Sequence, residues 1–318
     1  MRALICGIGG QDGGYLAKLL LAKGYEVFGT SRDIHLMSGR GLNVLGIAKQ
    51  IKLRSMAIND FRSVLGVLAE SKPDEVYNLA GQSSVGLSFD QPVETMESMT
   101  SGTLNLLEAI RFHNPTIRFY NASSSECFGD TGALPADEGT AFHPRSPYAV
   151  AKAAAFWLVA NYRDAYKLHA SSGILFNHES PMRPERFVTR KIVATACRIA
   201  KGSDEVLTLG DISIERDWGW APDYVEAMWL MTQQTVASDF VVATGRTVSL
   251  AYFVKLVFDE LGLDRQSHVI TDPKLYRPSE IRVSHANPTH IHTVLGWHHR
   301  FEIEDVVREM VKHQLVEN

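Results

Sequence analysis

The apolar run Ala3–Cys6 passes directly into Gly7-Ile8-Gly9-Gly10-Gln11-Asp12-Gly13, and then into an amphipathic stretch, Tyr15–Lys23. A short strand, a G-x-x-G-x-x-G turn and a helix, in that order, restrict the fold more than any other feature of the chain. Small residues let the backbone turn tightly and bring an anion up to the helix N-terminus, where unpaired N–H groups and the helix dipole favour negative charge. The same spacing is compatible with a tight strand–helix junction that binds nothing. Its position after the first strand favours binding, with Gly7, Gly10, Gln11, Asp12 and Gly13 around a dinucleotide pyrophosphate.

The alternation continues beyond this unit. Glu26–Gly29, Glu75–Leu79, Arg118–Ala122 and His169–Phe176 read as strands, and Met99–Phe112 and Tyr148–Tyr166 as helices. This predicts an α/β fold, a doubly wound parallel sheet covered on both faces. After Asn177 the alternation loosens, and Pro181, Pro184, Pro222, Pro273, Pro278 and Pro288 divide shorter pieces, as expected of a second, smaller C-terminal lobe. The expected division is a dinucleotide-binding domain over 1–176, with 212–247 returning to it, and a second lobe formed by 177–211 and 248–318. Asp223–Thr235 and Phe240–Ala243 are the returning pieces.

Composition narrows the partners. Hydrophobic residues make up 45% and charged residues 21%, the net charge is -4, and no long basic or acidic run is present. Neither nucleic acid nor an anionic membrane is favoured as a partner, and no apolar stretch is long enough to span a bilayer. Cys6, Cys127 and Cys197 show no paired spacing, which reads as reduced thiols in a cytoplasmic protein. His285, His290, His292, His298 and His299 lack metal-ligand spacing, so no metal is expected.

The end of the second strand selects the cofactor. A carboxylate there accepts hydrogen bonds from the adenosine ribose, whereas an arginine pairs with a 2′-phosphate. The segment is Gly29-Thr30-Ser31-Arg32-Asp33, so Arg32 predicts NADP over NAD, although Asp33 pulls the other way and Arg32 also reads as a solvated charge.

Tyr148-Ala149-Val150-Ala151-Lys152 is Y-x-x-x-K at a helix start, and spacing by four puts both side chains on one face. Lys152 is expected to lower the phenol's pKa, so that Tyr148 can take a proton from a sugar hydroxyl while hydride leaves the same carbon. A buried tyrosine beside a snorkelling lysine is the bland alternative. Ser123-Ser124-Ser125-Glu126 follows the strand Arg118–Ala122. Ser123 reads as a turn cap, while a carboxylate at a strand's C-terminal end, Glu126, faces the ligand crevice and can remove a proton next to a newly formed ketone.

Together these segments resemble the extended short-chain dehydrogenase/reductases, which are Rossmann-like, and within them the GDP-mannose 4,6-dehydratases. The likeness rests on Gly7–Gly13, on Tyr77-Asn78-Leu79-Ala80, on Pro144-Arg145-Ser146-Pro147-Tyr148 and on Gly173–Pro181 with its Asn177-His178-Glu179-Ser180. Phe187-Val188-Thr189-Arg190-Lys191, Arg216-Asp217-Trp218-Gly219 and Arg277-Pro278-Ser279-Glu280 extend it over nearly the whole chain.

The resemblance implies that Ser124, in place of the family's threonine, acts with Glu126, Tyr148 and Lys152. It also implies that Arg32, the Leu79–Ser83 segment (Leu79, Ala80 and Ser83), His178 and Arg183 contact the cofactor, as do Tyr148 and Lys152. Asn177, Val188, Lys191, Arg216, Arg277 and Glu280 would line a nucleotide-sugar pocket. The implied substrate is GDP-mannose or a related nucleotide-sugar, the implied reaction an internal redox elimination of water through bound NADP, and the implied assembly a homo-oligomer, a dimer or tetramer. Three departures stand out: Ala57 where the family has an acidic residue, Asp33 where it has a second arginine, and Ile281–Ala286 in place of an acidic, leucine-rich segment. A 4-keto reductase or epimerase on the same scaffold, and a non-catalytic nucleotide-sugar sensor, remain alternatives at this level.

Overall fold

The computed structural model describes residues 1–317. Its strands β1 (Arg2–Cys6), β2 (Glu26–Ser31), β3 (Lys52–Ser55), β4 (Glu75–Asn78), β5 (Arg118–Ser124) and β6 (Ala170–Leu175) belong to one sheet. Next come β7 (Asn177–Glu179), β8 (Leu207–Leu209), β9 (Glu215–Trp220) and β10 (Phe240–Val242), then β11 (Thr247–Ser249), β12 (Val269–Thr271) and β13 (Val283–Ser284). The large sheet has seven parallel strands in the order β10-β6-β5-β4-β1-β2-β3. Strand order reverses beside β1, which leaves a crevice at the C-terminal ends of β1 and β4. β4 and β6 are buried along their whole length, as central strands of a doubly covered sheet must be.

The first helices are α1 (Gln11–Ala22), α2 (Arg40–Val44), α3 (Phe61–Ser71), α4 (Val85–Asp90), α5 (Pro92–Met96), α6 (Gly102–His113), α7 (Pro147–Tyr166), α8 (Val188–Ala200) and α9 (Ala221–Gln233); α8 belongs to the C-terminal lobe. Leu16 and Leu20 of α1 pack with Met228 and Met231 of α9 on one face. Val64 and Leu68 of α3, Leu106 and Ile110 of α6 and Val159 of α7 cover the other. Helix α1 starts four residues ahead of the expected Tyr15, and the residues Gln11–Gly14 form its first turn. Glycine is a poor helix former, so the pattern alone could not place that turn inside the helix. Helix α7 begins where a capping serine meets a proline: the Ser146 hydroxyl accepts from the Ala149 N–H at 3.1 Å, and Pro147 occupies the first turn, where no N–H is needed.

The C-terminal lobe has its own core, in which Ile192 and Val193 meet Trp218, Phe253, Val257, Val306 and Met310. β9 lies in its sheet, paired with β7 and β13 in parallel and with β11 antiparallel. β10, by contrast, joins β6 in the large sheet. On this topology we propose that the piece returning to the larger body is Ala221–Val242, narrower than 212–247. Among the described residues no helix is long and apolar enough to cross a membrane.

Asp217 ties β9 to the turn after β10. It is fully buried and accepts hydrogen bonds from the Thr244 N–H (3.1 Å), the Thr244 hydroxyl (2.9 Å) and the Gly245 N–H (2.7 Å). Burial nevertheless raises its pKa to about 6. A carboxyl whose pKa rises on folding contributes stability that is complete below its unfolded pKa, near pH 4, and is lost as pH climbs through 6. Asp217→Asn removes this dependence. Measured by denaturant unfolding, the variant should therefore gain about 3 kcal/mol on the wild type between pH 4 and pH 7, because each tenfold change in proton affinity is worth about 1.4 kcal/mol. A constant difference across that range would contradict the assignment.

Candidate active site

The C-terminal ends of β1 to β4 open on a cavity of about 620 Å³. After β1 its wall is Gly7, Gly10, Gln11, Asp12 and Gly13, after β2 Arg32, and after β3 Met56, Ile58 and Asn59. Leu79, Ala80 and Ser83 follow β4, and Arg183, Arg186 and Phe187 close the far side. Ala57 is not part of this wall. Two glycines are required by the backbone itself. A Cβ on Gly13 would sit 2.5 Å from the Gly7 carbonyl oxygen, and Gly7, at φ +87°, would drive one to 2.8 Å from the Leu79 oxygen. Gly10 caps α1 with no side-chain hydrogen bond, so the first-turn N–H groups are left for an anion. A glycine cradle at an uncapped helix start, inside a cavity of this size, suits a dinucleotide.

His178 stands behind this wall and does not form part of it. Its Nε2 lies 3.0 Å from Asp12 Oδ2, its Nδ1 lies 2.8 Å from the Phe176 carbonyl oxygen, and its ring stacks on Tyr224. Desolvation opposes the charged imidazole, but the Asp12 carboxylate beside it raises the pKa overall. Against the same desolvation, His178 holds Asp12 below the usual carboxylate range. The charge of Asp12 at the cavity is thereby balanced from behind. Ser180 donates to Gln11 Oε1 at 2.7 Å and fixes the neighbouring amide.

β5 is the next strand along from β4, and its end, with the start of α7, brings together the residues that sequence predicts to react. The strand runs through Ser124, two residues beyond the expected end. The turn cap therefore falls on Ser124, whose hydroxyl accepts from the Glu126 N–H at 3.3 Å, while Ser123 lies 3.8 Å from the Cys127 sulfur. Tyr148 and Lys152 are both 9% exposed on the inner face of α7. The Lys152 ammonium donates to the Ala122 carbonyl at 2.7 Å and lies 5.8 Å from the centre of the Tyr148 ring.

Burial drives both groups toward their neutral forms, raising the phenol well above its usual value and lowering Lys152 to about 8. The Ser124 hydroxyl and, to a smaller extent, the Arg183 charge lower the phenol, whereas the Lys152 ammonium, expected from the spacing to do so, is turned to the β5 carbonyl. The Glu126 carboxylate works to raise the phenol further. Burial also raises Glu126 itself, against the pull of Arg277 and Arg216. The phenol is thus coupled to the carboxyl, and the carboxyl to the two guanidiniums; none of the four lines the 620 Å³ cavity.

The two arginines share Glu280, at 3.4 Å from Arg216 Nη2 and 3.8 Å from Arg277 Nη1. Arg216 is 5% exposed and also donates to the Ile281 carbonyl at 2.8 Å, so its guanidinium is fixed. Asn177, on β7, is partly buried. Val188 and Lys191 lie on the first turns of α8; the Lys191 ammonium donates to the Thr208 carbonyl at 2.7 Å.

One residue of the cavity wall carries no sequence signal. Glu94, in the short helix α5, reaches Arg32 across 62 positions of chain, with Oε1 2.5 Å from Nη2. Asp33, the carboxylate that sequence sets against Arg32, instead accepts from the His35 N–H at 2.8 Å.

Comparison with known proteins agrees with this arrangement. Residues 4–310 match the family model described as GDP-mannose 4,6 dehydratase. GDP-mannose 4,6 dehydratase 1 of Arabidopsis thaliana is 45% identical over 98% of this chain and 89% of its own. Among solved structures, the UDP-glucose 4-epimerase of Thermus thermophilus in complex with NAD superposes with a TM-score of 0.86 at 25% identity, over 99% of each chain. RMD of Pseudomonas aeruginosa, complexed with NADPH, superposes at 0.83 and 24% identity over 100% of this chain and 99% of its own, a likeness of fold. With the family model spanning nearly every element that builds the crevice, the chain belongs to the GDP-mannose 4,6-dehydratase family.

Proposed function

We propose that the chain is a nucleotide-sugar 4,6-dehydratase that converts GDP-mannose, or a close relative, to the 4-keto-6-deoxy sugar nucleotide. The observation that carries this reading is the Glu126 carboxyl, raised by burial, in electrostatic contact with the Tyr148 phenol. A reductase or a C4 epimerase needs the phenol but no base for the neighbouring carbon, and a sensor needs neither.

The dinucleotide would be held by Gly7, Gly10, Gln11, Asp12 and Gly13 at its pyrophosphate and by Leu79, Ala80, Ser83 and Arg183 along the wall. Arg32 alone favours NADP, as sequence predicts; its ion pair with Glu94 works against a 2′-phosphate. When bound, the nicotinamide supplies a reversible two-electron acceptor that takes hydrogen from C4 of the hexose and returns it at C6.

The protein's own groups move the protons. Tyr148 takes the C4 hydroxyl proton, with the Ser124 hydroxyl stabilising the phenolate and the Lys152 charge nearby. The resulting 4-ketone acidifies C5. Glu126 takes the C5 proton and can pass it to the hydroxide leaving C6, so that water departs and a C5–C6 double bond forms. Burial suits a carboxyl to this work, because raising its pKa makes the carboxylate a stronger base. Arg216 and Arg277 are the candidate diphosphate ligands: a guanidinium fork holds two oxygens at once, and the shared Glu280 carboxylate keeps the two side chains close together. His178 supports Asp12 from behind, and Asn177, Val188 and Lys191 border the sugar-nucleotide side.

The remaining properties are proposed on the same footing. Three free, buried cysteines suit a reducing cytoplasm. The outer faces of α6 and α7 expose Phe112 and Trp157, at 78% and 62%, which suits a homo-oligomer joined through these helices.

Incubation of the protein with GDP-mannose should give a product lighter by one water, with no net consumption of reduced dinucleotide. Stoichiometric oxidation of added reduced cofactor would favour the reductase. Glu126→Gln should cut turnover by about 10²-fold or more, the usual contribution of a positioned base, with KM for the sugar nucleotide little changed. Unchanged turnover would remove Glu126 from the mechanism. Tyr148→Phe should abolish turnover while sugar-nucleotide binding, followed by calorimetry, persists; full activity in that variant would contradict the proton-transfer role.

A further inference from the structure

We infer that Glu94 is a specificity-determining residue at the adenosine end of the cavity, set there to exclude a 2′-phosphate, so that the chain takes NAD in preference to NADP. This rests on the reading of the cavity as a nicotinamide-dinucleotide site.

Arg32 follows β2, at the position that meets the adenosine ribose in this fold. Its guanidinium is already paired with the Glu94 carboxylate at 2.5 Å, and both side chains belong to the cavity wall. The pair is solvent-exposed, with side chains 77% and 41% accessible, so it does little for folding. It can break at small cost, and Arg32 is free to turn toward an incoming phosphate. Breaking the pair does not remove the Glu94 charge from the wall. When Arg32 turns to an incoming phosphate, the Glu94 carboxylate beside it stays on the wall and opposes the phosphate's charge of about two.

A free 2′-hydroxyl meets the opposite situation. It is a donor, and a carboxylate accepts from ribose hydroxyls without any charge to oppose. Asp33 does not line the cavity wall, and its Oδ1 accepts from the His35 N–H. Glu94 can take this part, because its only described partner is the exposed Arg32. The carboxylate that usually ends the second strand of an NAD site is thus supplied from α5, on a distant stretch of chain. The cavity's other cations, Arg183 and Arg186, lie against the Phe187 ring, and Arg183 is further engaged by Glu179 at 3.3 Å.

The test is the affinity of nucleotide-stripped protein for NAD⁺ and NADP⁺, measured by isothermal titration calorimetry without substrate or turnover. The wild type should bind NAD⁺ more tightly. Glu94→Gln, which keeps the side-chain shape at an exposed position, should shift the ratio toward NADP⁺ by about tenfold, the effect of removing one charge well within a Debye length of a phosphate. Arg32→Ala should move the ratio the other way, because it leaves Glu94 without its counter-charge. A wild type that prefers NADP⁺, or a Glu94→Gln variant with an unchanged ratio, overturns the inference and leaves the dinucleotide site intact. If neither nucleotide binds to any of the three proteins, the reading of the cavity itself fails.

Discussion

One hydrogen bond, from the Lys152 ammonium to the Ala122 carbonyl, fastens the first turns of α7 to the end of β5. Together with the Ser124–Tyr148 hydrogen bond, it orients the helix that carries Tyr148 against the strand that ends in Ser124 and the turn that carries Glu126, where apolar packing alone would fix distance but not direction. The Lys152 bond is charge-assisted and buried, and so among the stronger single contacts a chain can make. An ammonium committed to a backbone carbonyl orients the phenol's helix, while the Ser124 hydroxyl acts on the phenol directly.

Around this joint, burial and charge divide the labour. The same desolvation that raises Tyr148 and lowers Lys152 also raises Glu126, and the Arg216 and Arg277 guanidiniums restrain that last shift. A site of this kind disfavours charge on its own acids and bases, so that a change of protonation is felt by its neighbours. The arginines depend in turn on the second sheet. Arg216 sits on β9 next to Asp217, whose three hydrogen bonds tie that strand to the turn after β10. The smaller lobe's architecture is therefore part of the electrostatics of the crevice.

Much of this is legible in the residues because it is local. The strand–glycine–helix unit, the four-residue spacing of Tyr148 and Lys152, and Glu126 just past a strand each declare themselves within a few positions. The features that escape are those made by distant segments. His178 meets Asp12 across 166 positions, and Glu94 meets Arg32 across 62. No periodicity reports such a contact, and a lone glutamate in Gln91-Pro92-Val93-Glu94 looks like an ordinary helix-start acid. β9 escapes for a related reason: its run Glu215–Trp220 fits either sheet, and only its partners β7, β11 and β13 assign it to the small one. Helix α1 reads too short in the sequence because its first turn is spent on glycines that the cradle requires.

The chemistry turns on a carboxyl of this crevice working on the carbon next to the one the phenol serves. Conversion of GDP-mannose in D2O, followed by NMR of the product, tests it most directly. The expected product carries one deuterium at C5, since the proton removed there by Glu126 is replaced from solvent after water has left C6. Product that retains its original protium at C5 would contradict it.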